Sequence, residues 1–337
     1  MKTRKTKGQS AGWFTETAPL KPGDILHLKC NGPINIEGDD RSDALFNGVG
    51  DLHWSREGQV VKVHFDGPIS AAVPRDAHLR LDTDGPVKVR KVTEGEIEAL
   101  SMDGPLTVEG GASLHVRNAD GPLIVSRISG PVMVTNIDGP TTLKEIGGDV
   151  TVSNADGPVV IKRCDGDIDI ATDGGAYLTL AGDVAQNVRL RVDGNAFLKV
   201  PASTRVAGRI QADGRISVEL DGQSIQAENE TITLPRPEGA QPVITVDLEA
   251  DGDVYIGPNP PAAEANSGIH FMGLAGLFGR RRGKKQVKVT RTVATPPPAD
   301  SAPPKDNLAA EREMILRMVA EGKITAEEGD QLLEALQ

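Results

Sequence analysis

Six aspartates recur along the middle of the chain at a spacing that could build a row of carboxylates. Each opens an Asp-Gly-Pro triplet, and successive triplets are 18, 19, 17, 18 and 18 residues apart. Such a row could bind calcium, since known calcium-binding repeats also have a period of nine residues. It could also supply acidic groups for cleaving a polysaccharide. The six residues are Asp66, Asp84, Asp103, Asp120, Asp138 and Asp156.

The residues next to these aspartates favour a structural role. Calcium-binding nonapeptides have the pattern Gly-Gly-x-Gly-x-Asp, and the proline of Asp-Gly-Pro removes a position that they use. An Asp side chain can instead accept hydrogen bonds from backbone N–H groups in a tight turn, while Pro fixes φ where the next strand begins. We assign the six aspartates to a ladder of turns and expect no metal and no cofactor. Calcium binding is the alternative, and calorimetric titration would test it.

The histidines are not spaced for catalysis. None of those at positions 27, 53, 64, 78 and 115 lies in a metal-ligand motif such as His-Glu-x-x-His. Acidic and basic residues scattered over a repetitive surface are mostly solvated. We therefore predict no catalytic residue and a protein that is not an enzyme, with lyase-like polysaccharide cleavage as the lesser alternative.

The turns divide the chain into nine-residue units, because related turns such as Ser129-Gly130-Pro131 lie halfway between the triplets. Apolar residues follow each turn at the same offsets, as Leu123, Val125 and Ile128 do. The first two alternate with polar residues, which is typical of a strand with one buried face. The third follows after two residues, which indicates a bend. Nine residues are too few for a helical repeat.

These units predict an all-β fold. Stacked units would pair in parallel and bury a thin core of Val, Ile and Leu, in agreement with an aromatic content of only 3%. We predict a right-handed parallel β-solenoid (β-helix) over residues 20–257, with about 18 residues per coil in two nine-residue rungs. Residues 41–60 depart from the pattern and read as an excursion from the coil.

The segments on either side differ in composition. Residues 1–19 read as a flexible basic N-terminus, and residues 258–305 as a Pro-rich linker. Residues 306–337 predict a small α-helical hairpin, in which Gly322 ends the first helix and a capping box of Thr325 with Glu328 begins the second. The apolar face predicted to contact a protein partner or a second copy comprises Leu308, Ile315, Met318, Val319, Leu332, Leu333 and Leu336.

Within the linker, residues 269–285 combine an apolar stretch with a cluster of cations. Such a segment could contact an anionic membrane surface, or it could be a soluble linker. Nucleic acid is not expected as a partner, because the net charge is −11 and no aromatic residues are interleaved with the cations. The candidate contacts with an anionic surface are Arg280, Arg281, Arg282, Lys284 and Lys285.

The cysteines and the N-terminus bear on location. Cys30 and Cys164 both lie in apolar strand patterns and are predicted to be buried free thiols, which fits a reducing compartment. The basic N-terminus is followed by no apolar run, and no 18-residue apolar segment is present. We expect a cytoplasmic protein that could associate peripherally with a membrane.

Two stretches resemble known families. Residues 31–38 (NGPINIEG) and 73–77 (VPRDA) resemble the first rung and the entry to the repeats in the bacterial "putative adhesin" β-solenoid family of unknown function. That resemblance implies a fold related to pectate-lyase-like β-helices. Asp-Gly-Pro replaces the Ser-Gly-Asp that this family usually shows, so a shared ligand does not follow.

Residues 314–328 (MILRMVAEGKITAEE) are similar to SHOCT-like helical modules found on such solenoids in envelope-stress proteins. That similarity implies a role in oligomerisation or partner contact. The function we predict is a non-catalytic scaffold, a rigid solenoid carrying a hairpin for self-association or partner recruitment, with a role in the cell-envelope stress response as the implied setting. An adhesin-like or carbohydrate-binding solenoid is the alternative.

Overall fold

The computed structural model describes residues 13–220, 223–236 and 243–260, together with the backbone of residues 292–293. The chain separates into two compact units, Met1–Val293 and Ala294–Gln337, and all described residues belong to the first. The described residues contain strands and turns and no helix, and the strands form one 26-stranded sheet.

Seven strands form the N-terminal end. Their bounds are β1 Trp13–Pro19, β2 Ile25–Cys30, β3 Ile34–Asp39, β4 Asp43–Val49, β5 Leu52–Glu57, β6 Val60–Phe65 and β7 Ile69–Pro74.

The middle of the stack follows. Its strands are β8 His78–Thr83, β9 Val87–Arg90, β10 Glu96–Met102, β11 Leu106–Gly111, β12 Ser113–Ala119, β13 Leu123–Ile128, β14 Val132–Ile137, β15 Thr141–Ile146, β16 Val150–Ala155, β17 Val159–Cys164, β18 Ile168–Thr172, β19 Ala176–Thr179, β20 Gln186–Val192 and β21 Ala196–Lys199.

The C-terminal end contains the longest strands. They are β22 Arg205–Leu220, β23 Gln223–Leu234, β24 Val243–Ala250, β25 Val254–Gly257 and β26 Thr292–Val293.

The middle strands alternate between two columns. The even-numbered strands β8 to β20 form the first column and the odd-numbered strands β9 to β21 the second, and each pairs in parallel with the next strand but one. Leu114 lies beside Val132, and Leu123 beside Thr141, so paired residues are one coil of two nine-residue units apart in sequence. One strand from each column makes a level of the stack.

Side chains alternate between the core and the surface, as the sequence pattern predicts. Val125 is fully buried, and Ile128 is buried one residue later than strict alternation would place the next core residue. The intervening bend is made by a residue in the left-handed region, where φ is 57° at Arg127, 56° at Glu145 and 67° at Arg163. The predicted bend is therefore present, and non-glycine residues make it.

The N-terminal end does not follow chain order. β2 lies between β6 and β8, and β3 lies between β7 and β9, so the level made by β6 and β7 is outermost. Residues 41–60, the predicted excursion, contain β4 and β5, which pair antiparallel with β7 and β6. β1 pairs antiparallel with β4, which corrects the prediction that all of residues 1–19 are flexible.

The C-terminal end also departs from chain order. β24 and β25 lie between the last middle level and β22, which is long enough to extend across both columns. β23 folds back antiparallel to β22, and β26 pairs with the start of β23. Unpaired parallel edges promote association with other chains, and antiparallel strands cover them at both ends.

The predicted all-β fold with parallel strand pairing is confirmed. The predicted hairpin, residues 306–337, lies outside the described residues. The order of the levels at both ends was not predicted, because a level carries the same apolar pattern wherever it is stacked.

Candidate functional site

The Asp-Gly-Pro triplets lie where a first-column strand passes into a second-column strand. Their glycines stack directly on one another: a Cβ on Gly104 would lie 2.7 Å from the backbone of Gly85, and a Cβ on Gly121 would lie 2.7 Å from that of Gly104. These glycines are not in the left-handed region, with Gly67 at φ 121° as an exception. Close approach between levels, rather than φ, therefore requires glycine at these turns.

The aspartates of the triplets are exposed at this corner. The backbone N–H groups of the last five donate to the neighbouring level, from Asp120 to Met102 O at 2.9 Å and from Asp103 to Thr83 O at 3.1 Å, for example. The Asp66 carboxylate accepts a hydrogen bond from Asn31 Nδ2 at 2.7 Å. Within the described part of the chain, the carboxylates of the other five have no hydrogen-bond or ion-pair partner. The predicted side-chain bonds to turn N–H groups are thus replaced by bonds from the aspartate backbone.

The strand registers extend this row beyond the six predicted residues. The backbone N–H of Asp173 donates to Ala155 O, and those of Asp193 and Asp251 donate to the corresponding residues of the levels before them. The sequence carries Asp-Gly turn signals at these positions, at wider spacing after residue 167, but it did not place them in the same row as the six triplets. We call the row the acidic ridge: Asp66, Asp84, Asp103, Asp120, Asp138, Asp156, Asp173, Asp193, Asp251 and Asp213.

The acidic ridge spreads its charges along the stack. Successive strands in a sheet are about 4.8 Å apart, so carboxylates on adjacent levels lie beside one another in single file. Among the residues that the structure describes, no group of three or more His, Cys, Asp or Glu side chains could hold a metal ion. The ridge is a row of exposed carboxylates along the turns between the two columns.

The outer surface of the second column differs in charge and polarity. An apolar row runs along it, because the registers place Ile124 beside Thr142, Thr142 beside Val160 and Val160 beside Tyr177. Tyr177 continues the row to Phe197, and their rings stack with centroids 5.3 Å apart and planes 7° apart. The ring faces contact each other, so the row presents mainly ring edges and aliphatic groups.

Three lysines run parallel to the apolar row, two residues further along their strands. Lys144 lies beside Lys162, and Lys199 lies two levels beyond Lys162. All three are exposed, and none forms an ion pair within the described ranges. We call this surface the lysine face, defined by Ile124, Val160, Tyr177, Lys144, Lys162 and Lys199.

Several charged residues outside the acidic ridge and the lysine face are paired across levels. The Arg80 guanidinium lies 2.7 Å from a Glu98 carboxylate oxygen, and Arg127 pairs with Glu109. The Arg80–Glu98 hydrogen bond helps to lower the pKa of Glu98, although desolvation opposes the shift. Since the lysines of the lysine face lack such partners, they leave uncompensated positive charge on a chain of net charge −11.

A groove of about 630 Å³ lies near the N-terminal end of the stack, on the side of the second column. Proline rings from successive turns line it, among them Pro33, Pro68 and Pro86, together with Lys88 and Trp13. Trp13 is 86% exposed. Sequence reasoning missed this groove, because residue 13 was assigned to a flexible segment.

The two thiols are structural. Both are buried and free, as predicted. Cys164 Sγ donates to the carbonyl oxygen of Gly148 at 3.4 Å, and Cys30 Sγ donates to that of Gly67 at the same distance. Burial raises the pKa of the Cys164 thiol to about 11 and also raises that of Cys30. The thiols are therefore poor nucleophiles near neutral pH.

The surroundings of His27 shift its pKa downward. Partial burial lowers the pKa of His27, and the neighbouring Arg80 guanidinium lowers it further. Its Nε2 atom is buried and has no hydrogen-bond partner. His27 lies on β2, with Lys62 of β6 on one side and Arg80 of β8 on the other.

Two groups of predicted site residues lie outside the described residues. They are the candidate membrane contacts Arg280, Arg281, Arg282, Lys284 and Lys285, and the hairpin face Leu308, Ile315, Met318, Val319, Leu332, Leu333 and Leu336. Among the described residues, no helix is long and apolar enough to span a bilayer.

Comparison with known proteins identifies one segment. Residues 310–337 match the family model described as a SHOCT-like domain, which confirms the resemblance predicted there. None of the curated proteins compared matches the chain.

Two solved structures are similar over most of their length. One is a "putative cell adhesion protein" from Clostridium sporogenes, with 12% identity, covering 73% of this chain and 99% of its own, at a TM-score of 0.18. The other is a "putative lipid binding protein" from Parabacteroides distasonis, with 12% identity, covering 74% and 95%, at a TM-score of 0.26. At these TM-scores the two structures carry no argument for this chain.

Proposed function

We propose that this protein is a non-catalytic scaffold, in which a right-handed β-solenoid carries a helical hairpin that binds a protein partner or a second copy. The observation that carries this proposal is the SHOCT-like match at residues 310–337, attached to a stack of repeated levels. The proposed setting is the cytoplasm, with the cell-envelope stress response as the implied process.

The stack supports a scaffold role because the same types of residue recur along its surface, whereas a catalytic site gathers different residues at one point. Each level contacts its neighbours and buries its apolar side chains between them, so the whole behaves as a row of similar units. Like residues consequently form rows, as in the acidic ridge and the lysine face. Rows of this kind suit extended contact with another macromolecule, whereas catalysis needs different groups brought to one point.

The predicted hairpin supports a role in binding a partner because it is too small to bury its own apolar face. About thirty residues bury too little apolar surface to be stable alone. An apolar face containing Ile315, Met318 and Leu333 would gain stability from a matching surface on another protein. We propose a second copy as the simplest such surface, with a different protein as the other outcome.

Light scattering after size-exclusion chromatography tests the hairpin. We expect the full chain to have at least twice the monomer mass and a chain ending at residue 300 to be monomeric. Leu333→Glu should reproduce the truncation, while Glu334→Gln on the same predicted helix should not. If both chain lengths are monomeric, affinity purification from the native cell should recover a protein that requires the hairpin. Failure of both experiments would exclude the proposal.

We also propose peripheral contact between the cationic segment and an anionic membrane. Five cations, from Arg280 to Lys285, follow an apolar stretch, and each cation near an anionic surface contributes about 1 kcal/mol. Flotation with liposomes containing phosphatidylserine should carry the full chain upward but not a chain lacking residues 269–285. Equal flotation of the two chains would remove this contact from the proposal.

Binding of an acidic carbohydrate is the second candidate function, and the lysine face favours it. Three unpaired lysines in line could each contact a carboxylate of a linear acidic polysaccharide. Replacing Lys144, Lys162 and Lys199 by Ser should abolish binding of alginate or polygalacturonate measured by calorimetry. The control replaces Lys29 and Lys62, which already pair with Asp82 and Glu57. No binding by the unaltered chain would exclude this candidate.

A further inference from the structure

Two histidines face each other across a hairpin at the N-terminal end of the stack. β5 and β6 pair antiparallel, and their register places His53 directly opposite His64. The neighbouring pair, Leu52 and Phe65, is buried, so the two histidines lie on the outer surface, where both are exposed. Cβ atoms directly opposite each other on antiparallel strands are about 4.5 to 5.5 Å apart. Two imidazole rings at that separation can bind one metal ion between them.

The ring nitrogens of this pair are available as ligands. Neither imidazole forms a hydrogen bond within the described ranges of the chain. The Asp66 carboxylate oxygen lies 3.9 Å from His64 Nε2, which is too far for a hydrogen bond, and it accepts one from Asn31 instead. Imidazole nitrogens suit zinc, nickel and copper ions, whereas calcium and magnesium prefer oxygen ligands. The pair therefore favours a transition metal.

The cations beside the pair do not oppose a bound metal strongly. Lys29 lies next to His64 on β2, and Lys62 precedes His64 by two residues on the same outer surface. Both ammonium groups already pair with carboxylates, Lys29 with Asp82 at 3.2 Å and Lys62 with Glu57 at 2.6 Å. Their positive charges are therefore offset before an ion arrives.

This juxtaposition was hidden in the sequence. His53 and His64 are eleven residues apart, a spacing that matches no metal-ligand motif, and only the hairpin between β5 and β6 brings them together. Another histidine on the outer surface lacks such a neighbour, since His115 lies between Glu98 and Met133. The opposed pair is thus a feature of the hairpin and not of the repeat.

β5 is an edge strand, because its pairing within the described residues is with β6 alone. We propose that His53 and His64 bind one divalent transition-metal ion, of the class of Zn²⁺, Ni²⁺ or Cu²⁺, through one imidazole nitrogen each, with water as the remaining ligands. The ion joins the edge strand to its neighbour and strengthens the cover at this end of the stack. It needs two protein ligands, whereas no group of three or more described His, Cys, Asp or Glu side chains could hold a metal.

Tryptophan fluorescence tests the site in the full chain. Trp54 follows His53 directly and is one of two tryptophans, so Trp13→Phe leaves it as the single tryptophan emitter. Bound Cu²⁺ quenches a nearby indole, and we expect saturable quenching at one ion per chain. In this background, His53→Gln and His64→Gln should each weaken the affinity at least about tenfold, as loss of a ligand requires. His115→Gln is the matched control and should leave the affinity unchanged.

Two results would overturn the proposal. One is unchanged affinity, or no quenching at all, when the chain with both histidines is compared with the His53→Gln and His64→Gln variants. The other is an equal loss in His115→Gln, which would show that copper binds surface histidines without regard to pairing. Circular dichroism confirms that each variant is folded, and all three substituted side chains face the outer surface.

Hydrogen exchange locates the ion without any substitution. Because a ligand that binds only the folded hairpin opposes its opening, saturating Ni²⁺ should slow exchange of the β5 and β6 amides at least about tenfold. The amides of β13, in the middle of the stack, should not change. Slowing elsewhere with none in β5 and β6 would place the ion at another site and contradict the proposal.

Discussion

The middle of the stack and its two ends are built by different rules. Between Ser113 and Cys164, each strand pairs in parallel with the next strand but one, which is one coil later in the sequence. The order of the levels in space is the order of the chain. At both ends a later level and an earlier level exchange places, and antiparallel strands lie outermost. The repeat is thus sufficient for stacking, but closing the stack requires segments that do not repeat.

The reason is the number of neighbours that each level has. A middle level buries both of its edges against identical levels, so a single pattern satisfies it. An end level has one such neighbour, and its other edge must be covered to prevent association with another chain. β4, β5 and β23 supply that cover. The following predictions test how far the middle and the ends differ.

The largest effect is expected at a glycine in the middle. Gly121→Ala would place a Cβ 2.7 Å from the backbone of Gly104, and neither backbone can move without disturbing its level. We expect a loss of about 3 kcal/mol in the free energy of unfolding. Gly58 lies in a turn near the N-terminal end, where a Cβ meets nothing within 4 Å although φ is 61°.

Gly58→Ala should therefore cost only about 1 kcal/mol, because of its backbone conformation alone. Urea unfolding measures both variants. Similar losses would mean that stacking at the corner is no tighter than an open turn.

Raising the pH above 9 should lower the free energy of unfolding, because the buried thiol of Cys164 in the middle of the stack resists ionisation. Its folded-state pKa is raised by burial to about 11, above the ordinary value of 9.0. The thiolate is therefore disfavoured in the folded state, and the thiol's contribution is complete below pH 9 and lost as pH rises towards 11. We expect a decline of about 1 to 2 kcal/mol across this window, and a smaller decline in Cys164→Ala.

Cys30, which lies near the N-terminal end, also has a raised pKa. Cys30→Ala serves as the comparison for this pH series. Identical pH dependence in Cys164→Ala and the unaltered chain would exclude this role of the middle thiol.

A smaller effect, a gain in stability, is expected from replacing Thr141 in the middle of the stack. Its side chain is fully buried, and its hydroxyl has no hydrogen-bond partner. Thr141→Val keeps the shape and removes the unsatisfied group, so stability should rise by about 1 kcal/mol. Thr172→Val is the matched control, because the Thr172 hydroxyl donates to turn carbonyls and accepts from Gly174 N–H.

The control should lose stability where Thr141→Val gains it. Thermal unfolding of both variants gives the comparison. A loss in Thr141→Val would show that its hydroxyl has a partner in solution.

The smallest effect concerns charge along the acidic ridge. Near the N-terminal end, Asn31 occupies the row and donates to Asp66. In the middle, Asp120 lies between like charges with no such donor, so Asp120→Asn should stabilise by about 0.5 kcal/mol at low salt. Asn31→Asp should destabilise by a similar amount. High salt should remove both effects; persistence at 1 M salt would argue against a charge origin.

Much of this structure follows from the amino-acid sequence alone. The nine-residue period determined that the chain forms strands, and apolar offsets such as those of Leu123, Val125 and Ile128 determined which side chains enter the core. The thiols at Cys30 and Cys164 were recognised as buried for the same reason. Local pattern suffices here because each level meets the same neighbour as the next.

Only the tertiary structure decided three other features. They are the order of the levels at the ends, the place of Asp213 and Asp251 in the acidic ridge, and the alignment of Lys144, Lys162 and Lys199. Residues 13–19 show why. WFTETAP carries no part of the repeat, and it forms a strand because it pairs with the edge of β4. Neighbours in a closed stack are set by which edges remain uncovered, and that depends on the whole chain rather than on any nine residues of it.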